Sequence, residues 1–231
     1  MIALCIWVFF ILPYAWGNTE KAVFLGPSPV HLESTYRTLG LSRLASLNPD
    51  EFTIRTHLKS KFPSNELRHG ESSWFLLHHL TEGQRYEVRV CWAATQPTMF
   101  RLEVHEPETV FGTPELASEL SSYASTPQAD MNNIVTISTR PSEAGMEDSI
   151  LLLRITAAAD FYTTNQTLMR NVPPTFVDII LDPFILNILP RSLLYPVTYI
   201  IAVTVVSCLV GRWISSWVCL IAAEPTKHKR Q

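Results

Sequence analysis

Apolar residues along this chain follow three different regimes. Ile2 to Leu12 is an almost unbroken apolar run, the middle of the chain alternates with period two, and Leu193 to Gly211 contains no charged residue. In the middle, Tyr86-Glu87-Val88-Arg89-Val90-Cys91-Trp92 and Phe100-Arg101-Leu102-Glu103-Val104-His105 each put apolar side chains on one face of an extended strand. With Thr95-Gln96-Pro97-Thr98 as a turn between them, the two read as an antiparallel pair. Further strands are expected at Ala22–Leu25, Thr53–His57, Ser73–Leu77, Ile134–Ser138, Ser149–Thr156 and Phe176–Ile180. Helical periodicity is confined to Pro114–Tyr123 in this region. Many strands separated by Pro, Gly, Ser and Asn clusters predict a mainly β fold, an antiparallel β-sandwich-like domain over 18–175.

Leu80-Thr81-Glu82-Gly83-Gln84-Arg85-Tyr86, leading into Val88-Arg89-Val90, resembles the tyrosine-corner approach to a sandwich strand, in which the hydroxyl returns to upstream backbone. A plain edge strand with a core tyrosine fits the same residues. The segment 176–192 is too apolar for a solvated linker. It reads as a final strand followed by a membrane-surface segment, with Pro183 and Pro190 breaking any continuous helix.

The two ends carry targeting and membrane signals. Residues 1–17 have a signal-peptide h-region and a small-x-small site, Ala15-Trp16-Gly17, with cleavage expected before Asn18, although no basic side chain precedes the run. It is shorter than the ~20 apolar residues a helical span requires. The uncharged stretch from Leu193 to Gly211 crosses about 28 Å at 1.5 Å per residue, enough for one transmembrane helix within 193–223. Tyr195 and Tyr199 at one end and Trp213 and Trp217 at the other match interfacial aromatic belts. If the helix continues, Ser207, Gly211, Ser215 and Cys219 share one face, with Arg212 beside it. That face suits packing against another membrane helix, while an arginine snorkelling at the boundary fits equally well.

With a translocated N-terminus, the basic tail 224–231 is expected in the cytosol by the positive-inside rule. Its Lys227 and Lys229 stand at the fifth and third positions from the C-terminus, which resembles the dilysine signal read by a retrieval coat that returns type I membrane proteins to the endoplasmic reticulum. A tail that only holds the topology is the simpler alternative.

Charge and composition narrow the function. A net charge of −3 provides no basic field for nucleic acid. Of the four cysteines, only Cys91 falls in the expected soluble domain, so no internal disulfide and no cysteine-rich zinc site is expected there. About 160 residues are enough to be stabilised by core burial alone. Asn165-Gln166-Thr167 is the acceptable N-glycosylation sequon, because Pro49 follows Asn48.

The histidines of the expected soluble domain, His31, His57, His69, His78, His79 and His105, form neither H-x-x-x-H nor H-E-x-x-H. His78 and His79 are expected on opposite faces of a strand and so not on one metal. No phosphate-binding loop, nucleophile elbow or dinucleotide fingerprint is present. Asp178 and Asp182 lack a companion acid, base or metal motif. The reading is therefore non-catalytic, with no catalytic residue, no metal and no cofactor.

The order of features resembles one family. Asn18-Thr19-Glu20-Lys21, Arg89-Val90-Cys91-Trp92, Leu181-Asp182-Pro183-Phe184 and Leu189-Pro190-Arg191-Ser192 are similar to the fungal accessory subunit of GPI mannosyltransferase II, over nearly the whole chain from Asn18. The resemblance implies a glycoprotein of the endoplasmic reticulum membrane, single-pass and type I with a lumenal N-terminal domain. Such a subunit supports a polytopic catalytic subunit that adds the second mannose in GPI-anchor biosynthesis, with dolichol-phosphate-mannose as the partner's expected donor. The accessory subunit of GPI mannosyltransferase I has a similar layout. A cargo receptor of the early secretory pathway, or a subunit of an endoplasmic reticulum membrane insertase complex, is the alternative of a different class.

Overall fold

A computed structural model describes residues 17–31, 41–65, 67–126 and 147–222. The expected signal segment up to Trp16, the strand at Ile134–Ser138 and the tail from Glu224 lie outside the described residues. Two antiparallel-rich sheets and a C-terminal apolar helix make up the fold, as the alternation predicts.

The first sheet contains β1 (Gly17–Leu25), β4 (Thr53–Leu58), β6 (Arg85–Ala93), β10 (Thr175–Ile185) and β11 (Leu189–Pro190). Its central strand is β10, antiparallel to β6 through Val177–Pro183, to β4 through Thr175–Ile180 and to β11 at Phe184–Ile185. β1 begins at Gly17, five residues before the expected Ala22, because its polar first half pairs along β6 from Gly17↔Ala93 to Leu25↔Arg85. The second sheet has the order β3 (Ala45–Leu47), β5 (Glu71–Leu77), β9 (Leu151–Ala159), β7 (Thr98–His105), parallel only at β3–β5. β2 (Val30–His31) and β8 (Glu147–Asp148) form a short separate ladder.

One expectation is corrected. β6 and β7 are not paired: β6 belongs to the first sheet and β7 to the second. Both have one apolar face, but those faces meet across the core instead of side by side. The four residues Ala94–Pro97 carry the chain over, turning through a Gln96 N–H bond to the Ala93 carbonyl. Trp92 and Phe100, one from each strand, then pack edge to face with ring centroids 4.7 Å apart.

Between the sheets lies the main core, with Ile54, Val88, Val90, Val177, Ile179 and Leu181 facing Phe75, Leu77, Phe100, Leu151, Leu153 and Ile155. The second sheet is buried on its other face too. There Trp74, Leu76, Ile150 and Leu152 meet Val110 of α1 (Pro107–Gly112) and Leu120 of α2 (Pro114–Ser125). Double burial explains why β5 and β9 read as nearly continuous apolar runs.

Arg154 of β9 fastens the helical layer. Its guanidinium donates to both carboxylate oxygens of Glu119 on α2, at 2.9 and 2.7 Å, and to Glu103 on β7 at 2.9 Å. The Trp74 indole N–H donates to the same Glu119 at 3.2 Å. Burial opposes ionisation of Glu103. The Arg154 hydrogen bond and charge, with help from Arg101 and His105, outweigh it and hold that carboxyl below its ordinary pKa.

The tyrosine corner is present. The Tyr86 hydroxyl accepts the Thr81 N–H at 2.9 Å, donates to Gln84 Oε1 at 3.0 Å and is fully buried beside Phe24. Gly26 completes it, exchanging backbone bonds with Gln84 and Gly83, and a methyl there would overlap the Thr81 carbonyl.

Two outcomes follow from this packing. Tyr86→Phe should destabilise the full-length chain in detergent by about 1–2 kcal/mol, read from urea unfolding by tryptophan fluorescence. Glu103 is more acidic folded than unfolded, so its contribution is present above about pH 4.3 and lost as pH falls through the lower folded value. Glu103→Gln should therefore flatten the acid limb of the stability profile, and an unchanged slope would contradict the assignment.

Candidate functional site

The end of β10 connects the sandwich to the apolar helix. Its inward residues are core, so the apolar stretch 176–192 is divided: as far as Ile185 it is sheet, five residues beyond the expected strand. Leu186 and Asn187 then take positive φ, 52° and 58°, with Ile188 N–H bonded to the Ile185 carbonyl. The loop between the paired Ile185 and Leu189 is thus three residues long, and its positive φ at Leu186 is costly for a leucine.

Asn187 supplies the compensation. Its side chain accepts the Arg85 N–H at 2.8 Å and donates to the Gly83 carbonyl at 3.0 Å. Gln84 donates to the Phe184 carbonyl, and the Arg85 guanidinium lies over the Phe184 ring. The hairpin is thus tied to the tyrosine corner, while Leu186 and Ile188 at its tip are 87% and 79% exposed.

After β11, a 3-10 turn at Arg191–Leu193 leads into α4 (Leu194–Ala222). The Asp182 carboxylate, buried on β10, accepts the Ser192 N–H with both oxygens at 3.2 and 3.3 Å. It thereby satisfies a backbone donor at the start of the helical run.

α4 is unbroken through Gly211 and Arg212. It belongs to the segment Arg191–Ala222, whose most apolar 18-residue stretch has a mean hydropathy of 2.2 and no burial, and is long and apolar enough to cross a membrane. Its 29 residues extend about 43 Å, beyond the ~30 Å of a hydrocarbon core. Ser207, Gly211, Ser215 and Cys219 consequently fall along one helix face at four-residue steps, and a Cβ at Gly211 would meet nothing within 4 Å. The hydroxyls of Thr198, Thr204 and Ser216 bond to carbonyls one turn back, which leaves them satisfied without water.

Other residues singled out in the sequence are placed as follows. Asn165 is exposed and caps the short α3 (Gln166–Arg170), its Oδ1 accepting the Thr167 N–H. Asp178 pairs with Arg55 across β10 and β4, at 2.6 Å, and so holds the sheet edge. Cys91 accepts from Thr19 at 3.5 Å. Lys227 and Lys229 lie outside the described residues.

His78 and His79 require a correction. Strand alternation stops at Leu77, where His78 donates its N–H to the Leu47 carbonyl, and His79 turns to φ 54°. The rings therefore lie together, centroids 4.4 Å apart, instead of on opposite faces. Asp148 of β8 joins them: one oxygen accepts the His79 backbone N–H at 3.0 Å, and the other is 3.2 Å from His79 Nδ1. Burial, and then the neighbouring His79, push the His78 pKa below the ordinary imidazole value against the opposing charges of Asp148 and Glu51. Sequence periodicity missed this cluster because the bend at His79 is local and Asp148 is distant in the chain.

Comparisons with protein-family models, with curated proteins and with solved structures find no match to this chain.

The exposed Asn165 sequon should carry a glycan if the sandwich enters the secretory pathway. Asn165→Gln should remove one endoglycosidase-sensitive mobility step on electrophoresis, with the fold unchanged.

Proposed function

We propose that this chain is a non-catalytic, single-pass subunit of the endoplasmic reticulum membrane whose span docks onto a polytopic mannosyltransferase. Its role is to stabilise the catalytic subunit that adds the second mannose during GPI-anchor biosynthesis. The observation that carries the reading is the coupling of an exposed, small-faced apolar helix to the central strand of a sandwich. Asp182 and the β10–β11 hairpin form that coupling without a long linker. An anchor needs only apolarity, whereas this helix also has a continuous small-residue face suited to close helix contact.

The specific partner class comes from the resemblance over the segments starting at Asn18, Arg89, Leu181 and Leu189. In this reading the sandwich is lumenal and covers the partner's lumenal face. Leu186 and Ile188 sit at the lipid headgroups, close in sequence to the start of the span. Arg212 and the tryptophans Trp213 and Trp217 mark the cytosolic side of the bilayer, and Lys227 and Lys229 are read by the retrieval coat. Donor and acceptor lipids are handled by the partner.

Gly211→Leu combined with Ser215→Leu should reduce co-purification with the transferase several-fold while the urea midpoint of the sandwich stays unchanged. Undiminished association would remove the span-docking idea. In cells lacking the chain, precursors should stop at one mannose. Normal second-mannose addition would refute the assignment in favour of a cargo-receptor or insertase role.

A further inference from the structure

We propose that His78, His79 and Asp148 form a binding site for a divalent transition cation, with zinc the best match to the ligand set. The site is independent of the mannosyltransferase reading. One donor atom from each residue lies within 4.8 Å of the other two. Around a tetrahedral zinc with ligand bonds of about 2.0–2.1 Å, donor atoms stand roughly 3.4 Å apart. Closure thus requires a contraction of at most about 1.4 Å, within the reach of side-chain rotation. Two imidazoles and one carboxylate favour zinc over calcium or magnesium, which select oxygen-rich shells. Three protein ligands leave a fourth position for water or for a group from a partner.

Backbone geometry accounts for the approach of the two rings. His79 holds φ at 54°, a conformation uncommon outside glycine and costing about 1 kcal/mol or more. This bend sets the second ring beside the first, and an uninterrupted strand would separate them. Such strain concentrates at functional sites.

A neighbouring side chain prepares the first ring. Asn48 Oδ1 accepts the N–H groups of Asp50 and Glu51 at 2.9 and 2.6 Å, which fixes its amide. Its Nδ2 consequently faces His78 Nε2 at 3.4 Å and leaves the lone pair on that nitrogen. A neutral imidazole nitrogen that carries its lone pair is the ligating form, and a cation at Nε2 would replace the long contact with Asn48.

The three ligands come from separate parts of the fold. His78 and His79 follow β5 in the second sheet, whereas Asp148 sits on β8, paired through Val30 to β2. A bound cation would cross-link the sheet end to that short ladder.

The test uses full-length protein without a polyhistidine tag, stripped with chelator in detergent and titrated with zinc chloride by calorimetry. The wild type should take up one zinc per chain, with a rise in thermal midpoint. His79→Gly suits the positive φ while deleting a ligand, and Asp148→Asn retains the acceptor for the His79 N–H while removing the anionic oxygen. Both should weaken zinc binding about tenfold or more and lose the thermal shift, with tryptophan fluorescence of the metal-free proteins reporting the fold. No uptake by the wild type, or undiminished affinity in either variant, overturns the site.

Discussion

Double-sided pairing of β10 is the constraint on which the rest of the molecule depends. β6 and β4 hold its two edges, and Val177, Ile179 and Leu181 are fully buried on its inner face. Each such side chain is worth about 1.5–3 kcal/mol on burial. Net domain stabilities are typically about 5–15 kcal/mol, so freeing this strand would remove a large share of the whole. The strand's outer face continues directly into the membrane connection through Asp182 and Ser192. A displacement of α4 therefore pulls on the best-buried strand of the first sheet, with no flexible spacer to absorb it. Apolar helix and sandwich are mechanically joined.

The second sheet solves a different problem. Burying both faces of β5 and β9 leaves little solvated side for charged residues, yet Arg154 lies on β9 and Glu103 on the neighbouring β7. Their partial burial is tolerated because the guanidinium meets two carboxylates, one bidentately, and Glu119 also accepts from Trp74. The network links β5, β7, β9 and α2 at one place. Apolar contacts such as Leu120 against Leu152 provide burial without direction, and the network provides the direction.

Most strands were legible because apolar alternation reports which residues face a core. What alternation does not report is which strands are neighbours. β6 and β7 have the pattern of a hairpin, and only the position of Trp92 against Phe100 shows that they face each other across two sheets. Strand ends were blurred for a related reason. Asn18, Thr19, Glu20 and Lys21 are drawn into β1 by backbone pairing, which their side chains do not advertise. The tyrosine corner was readable because its signature is local, with the hydroxyl and the amide N–H that donates to it five residues apart. The His78–His79–Asp148 cluster was not, because it needs a left-handed residue and a contact 69 positions away.

These features converge on the connection between β5 and β6. Within it, His78 and His79 reach Asp148, Leu80 bonds to Ser149, Thr81 bonds to Tyr86, and Gly83 meets both Gly26 and Asn187. One short loop passes from the second sheet to the first and touches the hairpin that precedes the span. Few of its contacts are apolar. Its shape instead rests on backbone groups that find specific partners, which makes it sensitive to any ligand that holds His79. A cation at that residue would stiffen the same loop that seats Asn187, and Asn187 holds the hairpin leading to α4. The transition-metal site and the membrane connection are thus neighbouring parts of one structural element, although the chemistry of each is separate.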